Sequence, residues 1–162
     1  MALRHVKQSS IIKIALLLAI LVSVPKTIFI YNMVSHGVEE FSVAWITDFI
    51  YRFVFFFLFS WAILQLNANV GYAKYQWSTA VRLNIMVLIN IAVLIATLSF
   101  FEFLYPHIIQ IEMDPKDKGF LAFTYTILLL ALFFIGRILR LQIEKQEGRI
   151  ENEHLKQQSL QN

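Results

Sequence analysis

The sequence predicts an all-α integral membrane protein, a four-helix bundle whose fourth helix extends into the cytoplasm, and three observations carry that reading. The 162-residue chain is 58% hydrophobic and only 15% charged, whereas soluble domains run at about 45–50% apolar and about 25% charged. It contains four apolar runs, each long enough to cross about 30 Å of hydrocarbon as a helix rising about 1.5 Å per residue. Past Gly136 the composition turns polar with no proline to stop a helix. A mean hydropathy of +0.63 excludes a single water-soluble core, because a chain this small has too little interior for so much apolar surface. The absence of cysteine excludes disulfides, thiol catalysis and thiolate-bound zinc.

The spans are expected at 11–31, 43–66, 83–105 and 120–136. None alternates with the two-residue period of a barrel strand, so each must satisfy its backbone groups as a helix. Arg4 and Lys7 before the first span resemble a signal peptide, but Lys26 and the apolar Ile28 to Ile30 follow it where a small-residue cleavage site would lie. That span reads as a retained helix, kinked at Pro25. The fourth is short, and it can continue through Ile138, Leu139 and Leu141 while Arg137 and Arg140 snorkel to headgroups.

Lysine and arginine set the orientation. Arg4, Lys7 and Lys13 lie at the amino end, Lys74 and Arg82 in the second connection, and a further group from Arg137 to Lys156. The first connection has Glu39 and Glu40 with neither Lys nor Arg, and the third sets Lys116 and Lys118 beside Glu112, Asp114 and Asp117. Both termini and the second connection are therefore expected on the cytoplasmic side. Trp45, Tyr31 and Tyr105 are expected in the outer aromatic belt, and Tyr72, Tyr75 and Trp77 in the inner one.

Four ionisable residues fall inside the spans: Lys26, Asp48, Arg52 and Glu102. All belong to the outer half, and their charges cancel, as expected if they face one another and not lipid. Asp48 and Arg52, four apart, can pair along one helix face. Asn84 and Glu102 are separated by about five whole turns and share a face, with Asn90 well off it; Tyr51 and Tyr125 are further hydrogen-bonding groups. The cluster has two readings: a polar site opening outward and able to sense an ion, proton, headgroup or small ligand, or an ion-pair network that holds the helices in register. Lys26 and Glu102 could also snorkel to the interface, which would leave only Asp48 and Arg52 deep.

No glycine-rich phosphate loop, HExxH or CxxC occurs, and His5, His36, His107 and His154 lack metal-ligand spacing. The chain is therefore expected to have no enzymatic activity of its own, no metal, no cofactor and no nucleic-acid partner. Residues 137–162 form a good helix-forming mixture broken only by Gly148, long enough to carry the fourth span about 39 Å beyond the bilayer. Leu139, Ile143, Ile150 and Leu160 fit a and d heptad positions, interleaved with polar Gln146, Glu153 and Gln157. Two copies could form a loose parallel coiled coil on a dimer axis; the other reading is a solvated tail. The domain division expected is a transmembrane domain at 1–136 and a cytoplasmic signalling helix at 137–162.

Four spans followed by Glu147-Gly-Arg-Ile-Glu-Asn-Glu-His-Leu-Lys-Gln-Gln-Ser-Leu-Gln-Asn162 resemble the membrane half of LytS-like bacterial sensor histidine kinases. The resemblance implies that this linker leads to a helix with an asparagine-proline-histidine-phenylalanine motif and then to an ATP-binding domain. The chain stops at Asn162, before either, and His154 in Asn-Glu-His-Leu-Lys is not that phosphoacceptor. On this resemblance the chain is the input module of a larger kinase, multi-pass in a bacterial inner membrane, with the output domain in the same polypeptide. A membrane anchor or scaffold, and a small transporter or channel subunit, are the rival expectations.

Overall fold

The computed structural model describes residues 6–37, 42–69 and 78–161. They form four helices, α1 (Gln8–Ser35), α2 (Val43–Ala68), α3 (Thr79–Ile109) and α4 (Pro115–Gln161). All four are long and apolar enough to cross a membrane, which makes the chain a multi-pass, all-helical membrane protein. Arg4, Glu39, Glu40, Lys74 and the inner-belt aromatics Tyr72, Tyr75 and Trp77 lie outside the described residues.

Local chemistry sets the helix starts. Ser42 caps α2 by accepting from the Ala44 amide at 3.2 Å, Ser78 caps α3 through the Val81 amide at 3.4 Å, and Asp114 accepts from the Lys116 amide at 3.3 Å ahead of Pro115. Each supplies an acceptor to amides that have no partner within the helix. At the other end of α3, Gln110 adopts the left-handed conformation at φ 61° and returns its amide to the Pro106 carbonyl at 3.0 Å, which stops the helix. Caps and the turns beyond the hydrocarbon carry α1, α2 and α3 a few residues past their expected spans.

α2 is the central helix: α1, α3 and α4 all pack on it, and α3 also meets α4. Its inward face is aromatic. Phe56 stacks on Tyr125 with ring centroids 4.7 Å apart, Phe59 meets the same ring edge-on at 5.0 Å, and Tyr51 lies 4.8 Å from Phe101. Phe53, Phe55 and Phe57 are half-buried around this centre. Exposed leucines, isoleucines and phenylalanines cover the outside of every helix, the surface a bundle presents to acyl chains and not to water.

The helix expected to continue past Gly136 does so. α4 runs unbroken through it, and a Cβ there would stand 2.7 Å from the Cβ of Asn67, so the glycine lets α4 cross α2 at close range. Packing continues one turn further. Arg140 is buried, and its Nε donates to Glu144 at 3.1 Å in place of the expected reach towards headgroups. Leu139 and Ile143 lie half-buried against this chain's own core, so those two heptad positions are already occupied, while Ile150 and Leu160 remain exposed.

Candidate functional site

Two antiparallel connections bring the carboxyl half of α1, the first turns of α2 and the last turns of α3 to one end of the bundle, where one buried carboxylate gathers three partners. Arg52, one turn below Asp48 on α2, donates from Nε to both of its oxygens, at 2.9 and 3.1 Å. Tyr105 on α3 donates its hydroxyl to Oδ1 at 2.8 Å, and Lys26 on α1 places Nζ 3.4 Å from Oδ2. The guanidinium also lies over the rings of Phe101 and Tyr105, 5.8 and 5.6 Å from their centroids, so part of its positive charge rests on aromatic faces. Tyr51 anchors the α2–α3 seam by donating to the Phe101 carbonyl at 2.8 Å.

Three of the four expected charges therefore meet. Glu102 does not join them: it is exposed on the face of α3 turned away from the bundle. The inward face of α3 is set by Met86, Asn90, Phe101, Tyr105 and Ile109, and Glu102, next after Phe101, is rotated about 100° off it. Without Glu102 the cluster carries two cations on one carboxylate. Tyr105, expected in the outer belt, is buried inside it, while Tyr31 is 70% exposed as a belt residue would be.

The same rotation reverses the roles of the asparagines. Asn84 is exposed. Asn90 is buried and exchanges two hydrogen bonds with Asn67 of α2, at 2.8 and 3.0 Å, and each amide also donates to a carbonyl one turn earlier on its own helix, Ile63 and Met86. The partner Asn67 is itself a signal in the sequence, a lone amide within an apolar span. Tyr125 is buried among the aromatic rings with no hydrogen-bond partner for its hydroxyl among the described residues.

A cleft of about 520 Å³ opens beside the charged cluster, between α1 and α4 across the face of α2. Lys26 and Arg52 line it, together with Asp117 from the first turn of α4 and apolar walls that include Phe29, Phe56 and Phe120. Among the described residues no three His, Asp or Glu side chains converge to hold a metal ion. No family model, curated protein or solved structure matches this chain.

Chemically, the site is a shared ion pair. The Asp48 carboxylate accepts hydrogen bonds from Arg52 and Tyr105 and forms an ion pair with Lys26. What the arrangement can do is exchange: Lys26 is 37% exposed, whereas Arg52 is 12% exposed, so the lysine can leave the carboxylate for a ligand while arginine keeps it compensated.

Proposed function

We propose that this chain is the membrane-embedded input module of a two-component-type histidine kinase, in which a stimulus at the cleft beside Lys26, Asp48 and Arg52 moves α4, and the polar end of α4 passes that motion to an output domain in the same polypeptide. The observation that supports this reading is that a single unbroken helix, α4, begins at the cleft with Asp117 and Leu121, crosses α2 at Gly136 and ends in an extension exposed on all sides from Arg149 to Leu160. A helix transmits displacement along its axis because its backbone hydrogen bonds resist local compression. By the distribution of Lys and Arg, the extension and the amino terminus lie on the cytoplasmic side. The module works as a homodimer, with exposed Ile150 and Leu160 meeting their copies in a loose coil.

The chain has no cysteine, so single-cysteine variants report contacts between copies cleanly. In native membranes, Ile150→Cys and Leu160→Cys are expected to cross-link between copies, and Leu139→Cys, half-buried in its own bundle, is not. Introducing Arg52→Ala, or the milder Lys26→Gln, is expected to change the cross-linking ratio between the two exposed positions. Absence of any cross-link, or an unchanged ratio in both cluster variants at wild-type abundance, contradicts the proposal and favours a passive anchor.

A further inference from the structure

The cleft between α1 and α4 has a charge pattern that the ion pair alone does not explain. On the α1 and α2 side stand Lys26 and Arg52, which share the single carboxylate of Asp48. On the α4 side stands Asp117, whose carboxylate makes no ion pair or hydrogen bond among the described residues; its neighbours Lys116 and Lys118 do not line the cleft. Among the described residues, one wall is thus short of negative charge and the other offers a carboxylate without a cation. Both lie at the end of the bundle where α1 closes and α4 opens.

The rest of the lining is apolar, and Leu21, Phe29 and Phe120 at its edges are largely exposed. A volume of about 520 Å³ falls within the range of about 300–1,000 Å³ typical of small-ligand sites. Apolar walls exposed towards the bilayer admit a hydrocarbon chain, and the two polar walls require a headgroup with separated charges of opposite sign. A purely anionic headgroup would satisfy the cations and repel Asp117; a purely cationic one would do the reverse.

We infer that the cleft binds one phospholipid of the zwitterionic, primary-amine class, with its phosphate on Lys26 and Arg52, its ammonium on Asp117 and an acyl chain along Phe29, Phe56 and Phe120. A primary ammonium donates hydrogen bonds to a carboxylate, and a trimethylated one cannot, so the site distinguishes phosphatidylethanolamine from phosphatidylcholine. Lys26 exchanges Asp48 for the phosphate, which places the lipid at the ion pair. This names a ligand for the site proposed above and rests on that reading only for its signalling consequence, because retained lipid and inter-copy cross-linking are separate readouts.

The test is native mass spectrometry of the full chain released from nanodiscs containing equal parts phosphatidylethanolamine, phosphatidylcholine and phosphatidylglycerol. The wild type is expected to retain one phosphatidylethanolamine per copy over phosphatidylcholine by about tenfold or more, the scale of one charge-assisted hydrogen bond. Asp117→Asn, at an exposed position that leaves the core intact, should abolish that preference while phospholipid is still retained. Lys26→Gln should lower retention of all three lipids, with elution volume and helix content reporting the fold. Equal retention of the amine and choline lipids by the wild type, preference for phosphatidylglycerol, an unchanged preference in Asp117→Asn, or a lipid-free dimer whose second copy fills the cleft would each overturn the inference.

Discussion

The bundle contains two buried polar nodes, and they are built on opposite plans. At one end the Asn67–Asn90 pair is neutral and reciprocal; both side chains are almost fully buried and each donor has an acceptor. At the other, Asp48 serves Arg52, Lys26 and Tyr105 together, and a third of the lysine side chain remains open to the cleft. A closed, fully satisfied amide pair has one arrangement and fixes how α2 and α3 meet. A carboxylate shared by two cations can trade one for the other. The first is a fastener, and the second is where a bound group can change the balance.

Breaking the charged node should have the largest effect. Asp48→Ala leaves two cations without their carboxylate and is expected to cost about 3 kcal/mol or more, read as loss of the folded fraction on unfolding in mixed micelles. Arg52→Ala with Asp48→Ala is expected to recover part of that loss, since the uncompensated charge is reduced. Next is Gly136→Ala, whose Cβ would meet Asn67 at 2.7 Å; overpacking of this kind costs about 1–3 kcal/mol and should lower the thermal midpoint of helix loss while separating α4 from α2.

The amide pair offers a sharper contrast. Asn67→Leu strands the Asn90 amide and should destabilise by about 1 kcal/mol, whereas Asn67→Leu combined with Asn90→Leu should lie nearer the wild type, because replacing both partners leaves no buried group unsatisfied. An additive double variant would show that the pair is not reciprocal. The smallest effect belongs to Tyr125→Phe: its buried hydroxyl has no partner among the described residues, so removing it should change stability by less than about 0.5 kcal/mol and not in the direction of loss.

The helix inventory was readable from hydropathy because span length is a property of the local chain: α2 begins at Val43 as expected, with Ser42 as its cap. The Asp48–Arg52 pair was readable for the same reason, since a spacing of four residues places both on one face. Which face of α3 turns inward was not. Charge balance pointed to Glu102, but the packing of Phe101 and Tyr105 against the aromatic face of α2 sets the rotation of α3, and long-range aromatic contacts leave no periodic signature in a helix that is apolar all round. Asn90 and Tyr105 enter the interior through that rotation, and Asn84 and Glu102 leave it. The close crossing at Gly136 depends likewise on a partner, Asn67, that lies far away in sequence.

The signalling role proposed for this chain requires α4 to be one rigid piece from the bilayer to the exposed extension. Electron–electron distance measurement between spin labels at Leu130→Cys and Glu151→Cys, in nanodiscs and with labelled copies diluted in an excess of unlabelled chain so that only distances within one copy are read, tests this most directly. An unbroken helix sets the two backbone positions about 31 Å apart and gives a single narrow distribution near that distance. A broad distribution, or one centred well below it, would mean that the chain bends or unwinds past Gly136, and motion at the cleft could then not reach the extension.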